Sequence, residues 1–307
     1  MSEKKQHVHA HDLHAHHAGD ASHHHGIEGR NPRVLGGAVA LTLGFAGVEA
    51  AVGFLSGSLA LVADAGHMVT DSMALGLALF AQILARRPPS DRHSFGFGRS
   101  EALAAFVNGL AMLCVVGWIV VEAVHRFAEP AAVRGQMVLV TASLGLLINL
   151  LVAWVLSQDQ QSINTRAALV HVMGDLLGSV AAIASGAVIL LTGWMTIDPL
   201  LSLMVAVLIL RSTMSVLRDS YHVLMEGVPH DISYIQVGTD IAALDGVVSV
   251  HDLHVWEMAA GQRALIGHLE VRSIAEWPSI LAAAKRMLLE KHGIDHITLQ
   301  PEPERVA

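Results

Sequence analysis

Two stretches of otherwise apolar sequence share one spacing. The first reads Ala63-Asp64-Ala65-Gly66-His67-Met68-Val69-Thr70-Asp71, and the second reads Leu169-Val170-His171-Val172-Met173-Gly174-Asp175. On a helix, residues four apart share a face, about 6 Å apart along the axis. Ionisable residues in a bilayer are costly, so they face a cavity or one another and mark ion pathways. Two imidazoles and two carboxylates form an N/O ligand set suited to a tetrahedral divalent transition metal. The bland reading of His67, Asp71, His171 and Asp175 is polar contact across a helix bundle. Repetition of the pair, each imidazole one turn from a carboxylate, favours the metal. A metal-bound imidazole is neutral and its carboxylate partners ionised, so protons compete with metal. That competition is a physical route to proton-coupled metal exchange.

Composition says what must carry these residues. The 307-residue chain has 15% charged residues and a mean hydropathy of +0.50, too apolar for an ordinary soluble protein. The single Cys114 excludes disulfides and a cysteine-built zinc site. The formal net charge of -8 and the absence of a large basic patch argue against nucleic acid. No nucleotide-binding glycine-rich loop is present, so a pump powered by ATP would need another chain; the chain is not expected to be an enzyme. The polar N-terminus lacks the order of a cleavable signal peptide.

The composition divides the chain into a His-rich N-terminal tail (1–31), a transmembrane region (32–217) and a C-terminal domain (218–307). Six apolar segments are long enough for a bilayer core, which needs roughly 20 residues. They run about Val34 to Phe54, Leu59 to Leu84, Ala102 to Val124, Met137 to Leu156, Ala167 to Leu191 and Pro199 to Leu217. Ser56-Gly57-Ser58, Arg86-Arg87-Pro88-Pro89, Glu129-Pro130, the polar stretch 157–165 and 193–198 punctuate them. Six spans put both termini on one side. Arg86, Arg87, Arg92 and Arg99 in the second link, Arg30 and Arg33 before the first span, and Arg211 and Arg218 flanking the sixth make that side cytoplasmic.

After the spans, helical and alternating patterns follow one another. Helices are expected near Ile232 to Leu244 and Pro278 to His292. Strands are expected at Val247 to Trp256, Ala264 to Val271 and His296 to Gln300. This order, with antiparallel pairing, suits a ferredoxin-like α+β domain. The fold class is therefore an all-α six-helix transmembrane bundle with a C-terminal α+β ferredoxin-like cytoplasmic domain.

Other polar residues lie within the spans. Asp64, three residues before His67, is placed to accept from an imidazole N–H or to make an interfacial contact. Glu49 and Asn149 either line the path or bond a neighbouring helix. Asp198-Pro199 reads as a helix start, with Asp as N-cap and Pro at the first position. His7, His9, His11, His14, His16, His17, His23, His24 and His25 fill a tail too polar to fold. Such a tract collects divalent metal loosely, or is a disordered tail with incidental affinity.

At this point the chain resembles the cation diffusion facilitator family, in its bacterial zinc and cobalt–zinc–cadmium branch. The paired His-x-x-x-Asp motifs in the second and fifth spans carry the resemblance. So do Ser58-Leu59-Ala60-Leu61-Val62-Ala63-Asp64-Ala65-Gly66-His67, His93-Ser94-Phe95-Gly96, Gly174-Asp175-Leu176-Leu177-Gly178-Ser179, Leu224-Met225-Glu226-Gly227-Val228-Pro229 and His251-Asp252-Leu253-His254-Val255-Trp256. The resemblance implies a homodimer in the inner membrane that exports cytoplasmic Zn2+ with protons as counter-substrate, using His67, Asp71, His171 and Asp175. It also implies accessory metal sites. In the second link Asp91 and His93 match a peripheral set, but Phe97 stands where a further His falls. In the C-terminal domain His251 and His268 match two ligands, Leu299 replaces another, and His254 and His296 offer a different set. Export of Co2+, Cd2+ or Ni2+ is the nearest rival. A membrane metal sensor and a membrane metalloenzyme are rivals of other classes.

Overall fold

Breaks in the apolar sequence become helix ends. The computed structural model describes residues 32–157, 163–259 and 261–304. Six long helices come first: α1 (Pro32–Ser56), α2 (Leu59–Ala85), α3 (Ser100–Ala128), α4 (Gly135–Ser157), α5 (Ile163–Thr192) and α6 (Ile197–Leu224). Gly57 takes φ +75° between α1 and α2, a conformation open to glycine at little cost. Ser58 then caps α2, its hydroxyl accepting from the Leu61 amide at 3.3 Å. Five helices hold stretches long and apolar enough to cross a membrane, and α1 adds the shorter apolar stretch Ala40–Ser56. Large apolar side chains such as Phe54, Val121 and Leu191 point outward, as lipid contact allows and water does not. Helix α6 continues beyond the expected end of the last span to Leu224.

The end of the bundle away from the C-terminal domain is held by one carboxylate. Asp198 was expected as the N-cap of the sixth helix. Thr196 holds that position, and Asp198 lies in the first turn. Its fully buried side chain reaches across the bundle instead. It accepts from Ser58 Oγ at 2.7 Å, the Leu59 amide at 2.6 Å and Ser185 Oγ at 3.1 Å. Arg126 Nη1 stands 3.9 Å from it, while Arg126 Nε bonds Glu122 at 2.9 Å. A buried carboxylate needs donors and a counter-charge, and these come from α2, α3 and α5. The N-terminus of α2 supplies both an unbonded amide and a favourable dipole.

The C-terminal domain contains α7 (Tyr234–Ala242), β1 (Val247–Ala259), β2 (Gln262–Val271), α8 (Trp277–His292) and β3 (His296–Pro303). The expected all-antiparallel pairing is corrected. β1 and β2 form an antiparallel hairpin, but β2 and β3 run parallel, in the order β1-β2-β3. The reason is topological: α8 lies between β2 and β3 as a crossover, which returns the chain in the same direction. Val237 and Ile241 of α7, Leu265 and Leu269 of β2 and Leu288 of α8 build the core. At its edge Lys291 bonds the Asp240 carboxylate at 2.7 Å and His292 meets it at 2.8 Å. The Lys291 bond, helped by Gln236, lowers the Asp240 pKa to about 2. Arg99, at the start of α3, pairs with Glu226, just after α6, at 2.9 Å, joining the domain to the bundle.

Two outcomes follow. Asp198→Ala removes an acceptor shared by three donors and is expected to cost about 3 kcal/mol, read as a lower unfolding temperature in detergent. For Asp240 the folded pKa lies below the ordinary 3.8, so its contribution is complete above that value and is lost as pH falls through about 2. Asp240→Asn should therefore lower stability at neutral pH and remove part of the loss between those values, as followed by tryptophan fluorescence.

Candidate metal centre

Helices α2 and α5 bring the two motif halves together. His67 and Asp71 lie one turn apart on α2, with Nδ1 to Oδ2 at 3.3 Å. His67 Nε2 stands 3.6 Å from Asp175 Oδ1 on α5. The imidazole ring thus lies between two carboxylates, one facing each nitrogen. One ligand atom from each of His67, Asp71 and Asp175 lies within 4.8 Å of the others. Ligands of tetrahedral zinc stand about 3.3 Å apart, so a short inward movement of side chains closes the shell. His171 lies on α5 one turn before Asp175, and its side chain falls outside the described residues. So do the histidines of the N-terminal tail.

Buried polar residues surround this set. Asp64 is almost wholly buried. Gly178 on α5 leaves the room its carboxylate fills; a Cβ there would collide with Asp64 Oδ1. Ser179 donates to Asp64, and Asn149 Nδ2 donates to Ser179 Oγ at 3.4 Å. Asn149 is thus linked through Ser179 to the carboxylate one turn from His67. Glu49 on α1 is fully buried, and its oxygens find no hydrogen-bond partner among the described residues.

The other sets fall out differently. Asp91 and His93 are both exposed in the link between α2 and α3. The Ser90 and His93 backbones bond each other, and the His93 ring lies 4.4 Å from the Phe97 ring. Among the described residues no third metal-ligating group joins them.

In the C-terminal domain His251 and His268 are cross-strand partners on β1 and β2. The third group of their cluster is Glu302 on β3, with carboxylate oxygens 3.2 Å from His251 Nε2 and 2.9 Å from His268 Nδ1. Sequence reasoning missed Glu302. The parallel register pairs His268 with Gln300, and Glu302, two residues on, shares that face. His254 and His296 are not brought to this cluster. A register shift between His251 and His254, with Asp252 at φ 50°, turns His254 toward Asp252, 3.1 Å away. His296 lies opposite Ala264 at the far end of the ladder.

Known proteins align with this geometry along most of the chain. Residues 37–225 match the cation efflux transmembrane domain, and 229–304 match the cation efflux protein cytoplasmic domain. The chain belongs to the cation diffusion facilitator family, in its zinc, cobalt and cadmium branch. The zinc transporter ZitB of Yersinia pestis is 45% identical over 86% of this chain and 86% of its own. The cadmium, cobalt and zinc/H(+)-K(+) antiporter of Bacillus subtilis strain 168 is 40% identical over 92% of each chain. The metal cation efflux system protein CzcD of Cupriavidus metallidurans is 40% identical over 92% of this chain and 90% of its own. Among solved structures, the metal-bound C-terminal domain of the CzcD transporter is 34% identical over 23% of this chain and 99% of that one, with a TM-score of 0.22. These relatives are transporters by name, and the chain is a multi-pass membrane protein.

The sheet cluster has a direct check. A zinc site there predicts, by calorimetry on the full chain, that Glu302→Gln weakens binding about tenfold or more and that His254→Ala leaves it unchanged.

Proposed function

We propose that this chain exports Zn2+ from the cytoplasm across the inner membrane in exchange for protons, as a homodimer with both termini cytoplasmic. The observation that carries this is the meeting of His67 and Asp71 on α2 with Asp175 on α5, inside a bundle whose outer face is apolar. With His171, one turn before Asp175 in the sequence, the donor set comprises two imidazoles and two carboxylates, the N/O composition that tetrahedral zinc accepts. The names of the relatives from Yersinia pestis and Bacillus subtilis support zinc as cargo and a proton as counter-ion.

Proton coupling has a physical basis at the same atoms. Zinc takes one nitrogen of each neutral imidazole and the ionised carboxylates, whereas acid puts protons on those groups and releases the metal. The two cargoes therefore exclude each other, which is the condition for exchange. Glu49 and Asp64 extend the carboxylate set into the bundle, where Ser179 serves Asp64 and a proton or a cation can serve Glu49. Sliding α2 against α5 would change both the ligand spacing and the face to which the set opens. His251, His268 and Glu302 hold a separate metal in the C-terminal domain, and the histidine tract gathers zinc near the cytoplasmic face.

The test is flux into vesicles holding a zinc dye under an imposed pH gradient. Uptake should depend on the gradient and should vanish in Asp175→Ala. Metal binding without flux would point to a sensor. Cobalt and cadmium belong in the same assay, because the Bacillus subtilis relative is named for all three metals.

A further inference from the structure

Three cavities lie in turn between the metal centre and the C-terminal-domain side of the bundle, and neighbouring cavities share wall residues. His67 and Asp71 line a cavity of about 390 Å3 between α2, α3, α5 and α6, whose wall also includes Asn108, Ser212 and Val216. A second cavity, of about 470 Å3, continues toward the C-terminal domain between α2 and α3, lined by Gln82, Glu101, Asn108 and Val216. A third, of about 230 Å3, lies where Glu101 meets Asp219 and Glu257 at the junction of bundle and domain. Asn108 and Val216 are common to the first two, and Glu101 to the last two. From Asp71 to Gln82 the rise along α2 is about 16 Å, so the series runs from mid-bundle to the end of the helix.

Asn108 has the chemistry of a passage rather than a resting place. Its amide is half-buried and makes no hydrogen bond among the described residues. A polar side chain on a membrane helix without a protein partner faces water or what water carries. A neutral amide oxygen can replace one water of a hydrated divalent cation without the deep well of a carboxylate, so the ion can move on. Glu101 lies two turns before Asn108 on α3, in the first turn of that helix. There its charge is favoured by the helix dipole and raises the local cation concentration. The other wall residue common to both cavities is apolar Val216, so among the described residues the Asn108 amide is the only polar group they share.

We infer that Asn108 is the conduction residue of the C-terminal-domain-side access path, its amide oxygen exchanging for a hydration water as Zn2+ passes from the Glu101 cavity to that of His67 and Asp71. This rests on the transport reading above. Two measurements on reconstituted full-length protein test it. Asn108→Leu should slow initial zinc uptake about tenfold or more while equilibrium zinc binding stays within about twofold. Asn108→Ser, small and polar, should keep most of the rate. In a Cys114→Ser background, Asn108→Cys should react with a membrane-impermeant cationic thiol reagent added on the C-terminal-domain side and not on the other. Wild-type uptake in Asn108→Leu, or reaction from the opposite face alone, would overturn the path. If the unaltered chain binds zinc without flux, the transport reading fails, and the side from which Asn108→Cys reacts still decides whether the cavities form an open path.

Discussion

An ionised carboxylate survives in a bilayer only with donors or a cation around it, and this chain meets that demand in two ways. Asp198 is satisfied permanently, by three donors and the fixed charge of Arg126. Asp71 and Asp175 instead share His67, whose charge depends on a proton and whose nitrogens can serve a metal. A permanent partner makes a structural joint, while an exchangeable one makes a site. The bundle places the joint at the end of α2 and the site near its middle, so one helix is anchored at its start and chemically responsive further along.

The same distinction organises the link to the C-terminal domain. Arg99 and Glu226 join the start of α3 to the chain leaving α6, and these two helices flank the cavities that reach the site. Metal at His251, His268 and Glu302 would tie all three strands of the sheet. Helix α7 lies between α6 and β1 along the chain, but Glu257 and Ala259 of β1 line one cavity with Asp219 and Val223 of α6, so rigidity gained in the sheet acts at the base of that helix.

The helices were legible because hydrocarbon demands long apolar runs, and Ser58, Pro88 and Gly193 mark where those runs stop. The meeting of His67 and Asp71 with Asp175 was legible because a His-x-x-x-Asp pair needs only helical spacing to form one face, and two such pairs need only adjacent helices. Glu302 was not legible. Its place beside His268 depends on β3 running parallel to β2, a tertiary fact that a strand pattern does not encode. Asp198 was misread for a related reason: local spacing resembles an N-cap, but the side chain serves the start of a different helix. His254 and His296 have the residue type without the position, because the bulge near Asp252 and the register of β3 take them out of the cluster.

The central claim is a tetrahedral N/O site shared by α2 and α5. X-ray absorption at the zinc edge tests it most directly, on protein lacking residues 1–31 and carrying His251→Ala, His268→Ala and Glu302→Ala. The expected spectrum shows one bound zinc with four N/O ligands at about 2.0–2.1 Å, two of them imidazole, and loss of the signal in Asp71→Ala. A six-oxygen shell, or undiminished binding in Asp71→Ala, would contradict it.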